Sequence, residues 1–315
     1  MAQSDVRSFT EPGDFAAAIQ GADVELCVLA RGAFLANMTR MELNDLKLHR
    51  FSESRPRVMH AAINHDRAVI SFQTGPCAEI FRNGLEQSPN SIVRLARRQS
   101  YFERSMGPVN WGSLSIPTDT IRWAGITGAG CDLTPLLTEL TVATAPAAIA
   151  KLQRLHAAAG LLAESAPELI ERPEPRRCLE QVLIEALVGC FSTGDAAEDR
   201  STQRRHGKIM RAFHAILCAD AESPHYVLEI ARQIGVSERT LSTCCWEHLG
   251  MGPKKYLLLR RMHLARASMF AANQAETTVT DIATQYGFWQ LGRFSVEYKY
   301  LFGESPSTTL HRKRS

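Results

Sequence analysis

Apolar positions along the chain follow two rhythms. From about Asp23 to Ile126 they come in short β-rich runs. Examples are 24-VELCVLA-30, 68-AVISF-72 and the alternating 39-TRMELNDLKLHRF-51, where Met41, Leu43, Leu46 and Leu48 flank a turn at Asn44-Asp45. Period-two runs of this kind predict half-buried strands. Turn residues punctuate them at Asn64-His65-Asp66, Gly75-Pro76, Ser88-Pro89-Asn90 and Gly107-Pro108. Several short strands so spaced predict an antiparallel barrel or sandwich.

From Pro146 the rhythm becomes helical. The run 146-PAAIAKLQRLHAAAGLLAES-165 opens with proline at a position helices tolerate. The prolines of 167-PELIERPEPRR-177 are expected to break it, and 178-CLEQVLIEALVGCF-191 resumes as a second apolar helix. The small, polar 192-STGDAAEDRSTQ-203 reads as a linker, and all that follows reads as helix. The fold class is therefore α+β. Its expected parts are a strand-rich domain over 1–145, a helical segment over 146–192, a linker over 193–204 and an all-α domain over 205–315.

The last part contains a repeat. In 229-EIARQIGVSERTLSTCCWEHLGMGPKKYL-257 and 281-DIATQYGFWQLGRFSVEYKYLFGESPSTTL-310, Ile230, Ala231, Gln233 and Gly235 match Ile282, Ala283, Gln285 and Gly287 at an offset of 52. Beyond the turn the offset is 53, pairing Leu241, Ser242, Leu249, Gly250 and Pro253 with Phe294, Ser295, Phe302, Gly303 and Pro306. Self-similarity at fixed spacing marks a duplicated unit. Each copy has the logic of a helix-turn-helix. A small residue (Ala231, Ala283) lets two helices approach, a glycine (Gly235, Gly287) takes the positive φ of a tight turn, and an apolar residue (Leu241, Phe294) anchors the second helix. Between the copies, residues 253–272 read as one helix of about 30 Å. Successive major-groove faces of DNA lie about 34 Å apart.

Charge supports that reading. The chain carries 36 Lys+Arg and 33 Asp+Glu in 315 residues. The excess is uneven: 17 against 9 from Arg200 onward and 19 against 24 before it. A basic third beside an acidic remainder points to a polyanionic partner. Eight cysteines form no CxxC pair and sit mostly in apolar runs, as reduced core cysteines do. The polar opening lacks a secretory core and no run is long enough for a membrane span. A cytoplasmic protein with no membrane partner is expected.

Residues 205–313 resemble the DNA-binding domain of the AraC/XylS family of bacterial transcription regulators. The resemblance rests on Ile-Ala-x-Gln-x-Gly-Val, on Arg261-x4-Arg266 and above all on 286-YGFWQLGRFSVEYKYLFGESPS-307. More loosely, the chain is similar to the branch holding the ethanolamine-operon regulator. The resemblance implies a cupin-like effector-sensing domain over 1–145 and dimerisation helices near 146–164 and 176–191. Its implied partners are double-stranded promoter DNA, RNA polymerase and a small-molecule effector. Those helices either form a homodimer or cover their own barrel.

By spacing, Leu241, Cys244, Cys245 and Leu249 face inward in the first second helix, leaving Glu238, Arg239, Ser242, Thr243 and Trp246 outward. The resemblance places base reading at Arg239, Ser242 and Thr243, and a guanidinium suits the two acceptors of guanine. Arg239 paired with Glu238 or Glu247 is the alternative. Trp246 either meets the DNA backbone or packs. In the second copy the outward set is Gln290, Arg293, Ser295, Val296 and Lys299. Val296 bonds no base edge, so this copy is expected to clamp phosphate through Gln290, Arg293, Ser295 and Lys299. Lys254, Lys255 and Arg260 on the spacer are either secondary phosphate contacts or merely solvated, and the resemblance implies a structural role for Arg261 and Arg266.

Catalysis is not expected. His49, His60 and His65 lack metal-cupin spacing, no nucleophile signature appears, and Gly125-x-x-Gly128-x-Gly130 lacks a phosphate-binding helix. No metal and no cofactor are expected. A non-specific nucleic-acid-binding architectural protein is the main alternative, and a cupin-type enzyme fused to a helical domain a remote one.

Overall fold

The structure is a computed structural model that describes residues 3–312, except 65–66, 97–98, 131–132, 134–138, 197–200, 222–224 and 274–275. His65, Asp66, Cys131 and part of the expected linker lie outside the described residues. The strands are β1 (Gln3–Phe9), β2 (Ala22–Val28), β3 (Ala36–Glu42), β4 (Lys47–Glu53), β5 (Arg57–Ile63), β6 (Arg67–Gln73), β7 (Ile80–Arg82), β8 (Leu85–Glu86), β9 (Ser91–Arg94), β10 (Ser100–Ser105), β11 (Val109–Pro117), β12 (Leu140–Ala143) and β13 (Asp195–Ala196). They form two antiparallel sheets, β1-β3-β4-β11-β6-β9-β12-β13 and β2-β5-β10-β7-β8. The expected barrel is thus a pair of antiparallel sheets that does not close.

The alternating 39–51 run is the β3–β4 hairpin, with Met41 opposite Leu48. Its four apolar residues are buried. A helix secures the turn from outside: the Glu180 carboxylate accepts the Asp45 and Leu46 amides at 2.7 and 2.9 Å and the Asn44 side chain at 2.6 Å.

The helices are α1 (Pro12–Ala18), α2 (Thr118–Ala129), α3 (Pro146–Ser165), α4 (Pro167–Glu171), α5 (Pro173–Ser192), α6 (Ser201–Ala219), α7 (Val227–Ile234), α8 (Glu238–Leu249), α9 (Pro253–Ala271), α10 (Val279–Gln285), α11 (Leu291–Phe302) and α12 (Pro306–His311). The prolines of 167–177 start helices rather than ending structure. Pro167 and Pro173 each lie in a first turn, where no amide donor is missed. The second long helix therefore begins at Pro173. Helices α3 and α5 cover the larger sheet, and Ile149, Leu152, Leu183 and Leu187 share one core with Met41, Leu48, Ile70 and Leu114. Within 193–204, Asp195–Ala196 pairs with β12 and α6 begins at Ser201. No helix among the described residues is long and apolar enough to cross a membrane. The seven described cysteines are free.

A charged network ties the two sheets together. Arg57 on β5 donates to Glu53 on β4 at 3.2 Å and to Glu103 on β10 at 2.7 Å, and Arg82 on β7 donates to Glu103 at 3.0 Å. All four side chains are buried. Burial alone would raise the Glu103 carboxyl, but the two guanidiniums outweigh it and hold it at about 2. Unpaired charges could not stay so deep.

The helical third packs against the smaller sheet. Cys27, Val58 and Phe102 join Phe213, Leu241, Cys245 and Tyr256 in one apolar cluster. A separate cluster, holding Met262, Ile282, Phe294 and Tyr298, is built from α9 to α12.

Candidate nucleic-acid interface

The two repeats fold as matching pairs of helices. Helix α10 lies 52 residues beyond α7, and α11 lies 53 beyond α8 at both ends. Gly235 and Gly287 have φ of 78° and 74°, in the left-handed region that side chains with a Cβ resist. Ala231 and Ala283 are buried beside them, and Leu241 and Phe294 are buried as anchors. The turns differ by one residue: α8 follows Gly235 after two residues, α11 follows Gly287 after three. Ser237 caps α8, its hydroxyl accepting the Thr240 amide at 3.1 Å. Gln290 caps α11 without a side-chain bond, and the first turn of α11 carries no acid. Its exposed amides therefore suit an anion.

On α8, Leu241, Cys244, Cys245 and Leu249 are buried as expected, together with His248. Arg239, Thr243 and Trp246 are exposed and Ser242 is half-buried. No ion pair is formed by Arg239 among the described residues. Glu247 binds His206 instead, at 2.6 Å. The Thr243 hydroxyl donates to the Arg239 carbonyl at 3.1 Å, leaving its oxygen free to accept. Trp246 is 60% exposed, so it is not a core packing residue.

On α11, Gln290, Arg293, Ser295, Val296 and Lys299 are all exposed. The Arg293 guanidinium donates to Glu297 at 2.7 Å, and the Ser295 hydroxyl to the Leu291 carbonyl at 2.9 Å. The aromatics between them are core. Phe288, Phe294, Tyr298 and Phe302 stack in series at 4.7, 5.6 and 4.6 Å between ring centroids. Trp289 points outward, 73% exposed.

The connecting helix α9 runs unbroken for 19 residues. Lys254 and Lys255 are exposed. Arg260 corrects the sequence reading: it is buried, and its guanidinium forks onto Glu25 of β2 at 2.7 and 2.8 Å. Its partner lies 235 residues away, so no local pattern announces it. Arg266 is structural as expected, forking onto Glu11 at 2.8 Å on both arms and reaching Glu304 at 2.8 Å. Arg261 lies 5.1 Å over the Phe288 ring. His263 joins the same seam through the Val28 carbonyl at 3.1 Å. Burial is the main cause that lowers it to about 4, against the opposing hydrogen bond to Val28.

A cavity lies between the two sheets, lined by Met59, Ala61, Ile63, Tyr101, Trp111, His49 and three serines, Ser71, Ser113 and Ser115. Its free volume is about 50 Å³, room for a few waters. Most of the wall is apolar, and the polar groups gather on β4, β6 and β11. Sequence alternation pointed to strands here but not to the side of each strand that faces the cavity.

Paired helix-turn-helix units on one continuous helix, with largely polar outward faces, define a double helix-turn-helix domain. Residues 230–312 match the family described as a helix-turn-helix domain. The match covers the C-terminal part of the chain, the same part that carries the AraC/XylS resemblance in the sequence. It is 41% identical over 102 residues to the "Probable thc operon regulatory protein" of Rhodococcus erythropolis, covering 32% of this chain and 31% of that one. It is 39% identical over 79 residues to the XylDLEGF operon transcriptional activator 1 of Pseudomonas putida, covering 25% and 24%. The chain thus spans a third or less of the length of these relatives. Among solved structures, the AraC-like transcriptional activator CuxR aligns over 84% of this chain and 95% of its own, at 14% identity and a TM-score of 0.42.

Proposed function

We propose that the chain is a sequence-reading transcription regulator, an activator of promoters, that sets α8 and α11 into successive major grooves of one DNA face. The observation that carries this reading is the register of the two units: second helices of equal length, a left-handed glycine at each turn and largely polar exposed outer faces, joined by a continuous α9. At 1.5 Å per residue its 19 residues span about 28 Å, close to one turn of the duplex. Helix α8 reads, through Arg239 with Ser242 and Thr243. Helix α11 clamps phosphate through its open N-terminus, Gln290, Arg293, Ser295 and Lys299, and Trp246 adds a sugar-phosphate contact from α8. Residues 1–145 sense a small effector in the cavity between the sheets, 146–192 support that domain, 193–204 connect and 205–315 bind DNA in the cytoplasm. RNA polymerase is the downstream partner. No cofactor and no catalytic step enter this reading.

Selection of bound duplexes from a random pool by the full chain tests it. The expected result is a consensus with one strongly specified block and a second, weaker block about 10 base pairs away. A pool that binds without any consensus supports a non-specific architectural protein instead.

A further inference from the structure

Beside the seam between sheet and helices is a cleft of roughly 560 Å³ whose lining includes Glu25, His60, Arg211, His214 and Cys218. Three metal-ligating types meet there. A carboxylate oxygen of Glu25, an imidazole nitrogen of His214 and the Cys218 sulfur all lie within 4.8 Å of one another. His214 and Cys218 are four residues apart on α6, hence on one face. Glu25 comes from β2 of the other half.

The spacing suits a small tetrahedral ion. His214 Nε2 is 3.7 Å from Cys218 Sγ and 3.7 Å from Glu25 Oε2. Donors on a tetrahedral zinc, at its usual bond lengths to nitrogen, oxygen and sulfur, sit about 3.4 to 3.6 Å apart. A separate observation points the same way. His60 on β5 is 6% exposed, and its Nε2 has no hydrogen-bond partner among the described residues. Its ring stacks on His214 at 3.3 Å between centroids. Buried polar atoms are almost always paired, so this orphaned nitrogen in the wall of the same cleft suits a hydrogen bond to a metal-bound water, while the near-parallel rings keep His60 from ligating the ion that His214 would hold.

We propose that Glu25, His214 and Cys218, with a water as fourth donor, bind a divalent transition-metal ion, zinc by preference, across the junction of the two halves. A thiolate with an imidazole and one carboxylate favours zinc over magnesium or calcium, which take oxygen donors. Arg260 already holds both Glu25 oxygens, but a carboxylate offers about four lone-pair sites and the fork uses two. The arginine then orients the ligating carboxylate from behind. Arg260 and Arg211 bring positive charge that opposes a cation, and the Cys218 thiolate offsets part of it. On binding, the Cys218 thiol gives up its proton to solvent and the sulfur becomes a thiolate ligand. The ion joins α6 to β2 directly. The site is independent of the regulator reading, and its test uses no DNA.

The test is cobalt(II) titration of the full chain after chelator treatment, followed by zinc displacement. The expected result is one equivalent of tetrahedral cobalt with a thiolate-to-metal charge-transfer band that zinc removes, and a rise in the thermal midpoint with zinc. Cys218→Ser should abolish the band. His214→Gln should weaken binding by at least about tenfold, and His60→Gln by a smaller factor. Cys178→Ser, which removes an exposed cysteine outside the cluster, should change nothing. Far-UV circular dichroism checks that each variant remains folded. The proposal is overturned if the chain takes up no stoichiometric cobalt, or if the band persists in a folded Cys218→Ser.

Discussion

The two helix-turn-helix units share the length of their second helices and a left-handed glycine at the turn, yet they are seated on the rest of the molecule in different ways. The first, α7–α8, shares its apolar core with the smaller sheet through Cys27, Val58 and Phe102. The second, α10–α11, has an aromatic core of its own. Polar contacts link it to the N-terminal half: Arg266 with Glu11 at 2.8 Å, and Arg31 lying 5.1 Å over the Tyr300 ring. Apolar burial is insensitive to salt, and a largely buried ion pair such as Arg266–Glu11 is screened far less than an exposed one. A duplication therefore keeps the groove-facing geometry of both copies while fixing one firmly and tethering the other.

Removing the shared apolar contact is the most damaging way to break this comparison. Phe102→Ala should cost about 3 to 5 kcal/mol, seen as a lower urea midpoint, with the larger loss of amide-exchange protection in α7–α8. Equal losses in both units would contradict the seating described. Next come the DNA contacts. Arg239→Ala should cost about 1 to 3 kcal/mol at one or two base positions. Lys299→Ala should weaken all duplexes alike and flatten the salt slope by about one unit. If the two variants behaved alike in a binding series over base substitutions and salt, the division into reader and clamp would fail.

The polar tether gives a smaller effect. Glu11→Gln leaves Arg266 with Glu304 at 2.8 Å, so the loss should be about 2 kcal/mol, as for hydrogen bonds to charged groups. It should appear as protease sensitivity of the second unit, with little dependence on salt because the pair is largely buried. The smallest effect is set by pH. Burial holds His248 of α8 down at about 4, against an opposing bond to the Cys244 carbonyl. The matching residue in the second unit is Leu301. A buried histidine with a depressed pKa leaves stability intact above the unfolded value of about 6.5 and erodes it below. By pH 5.5 the cost is about 1 kcal/mol, borne by the first unit. His248→Leu should flatten that acid limb in a series of urea midpoints from pH 7.5 to 5.5.

Much of this was legible in the chain. The repeat gave both units to the residue, because glycine turns and inward spacing are local features. The β3–β4 hairpin was readable for the same reason. What escaped is non-local. Arg260 looked solvated because its carboxylate lies 235 residues away. The prolines of 167–177 read as breakers because a proline's effect depends on whether a helix ends or begins at it. Trp246 was ambiguous because spacing gives direction but not what covers a surface. The Glu25–His214–Cys218 cluster draws on two elements of separate halves, and only its His-x3-Cys spacing on α6 hinted at it.

The continuity of α9 also has a rotational meaning. Each residue of an α-helix turns the next by about 100° and advances it by 1.5 Å. Lengthening α9 by two residues would move α11 only about 3 Å further from α8 but swing it about 200° around the axis, off the DNA face that α8 occupies. Four added residues would restore the phase to within about 40° and shift the second contact by about 6 Å, nearly two base pairs. Operators selected by such variants should therefore respond to helical phase before they respond to distance.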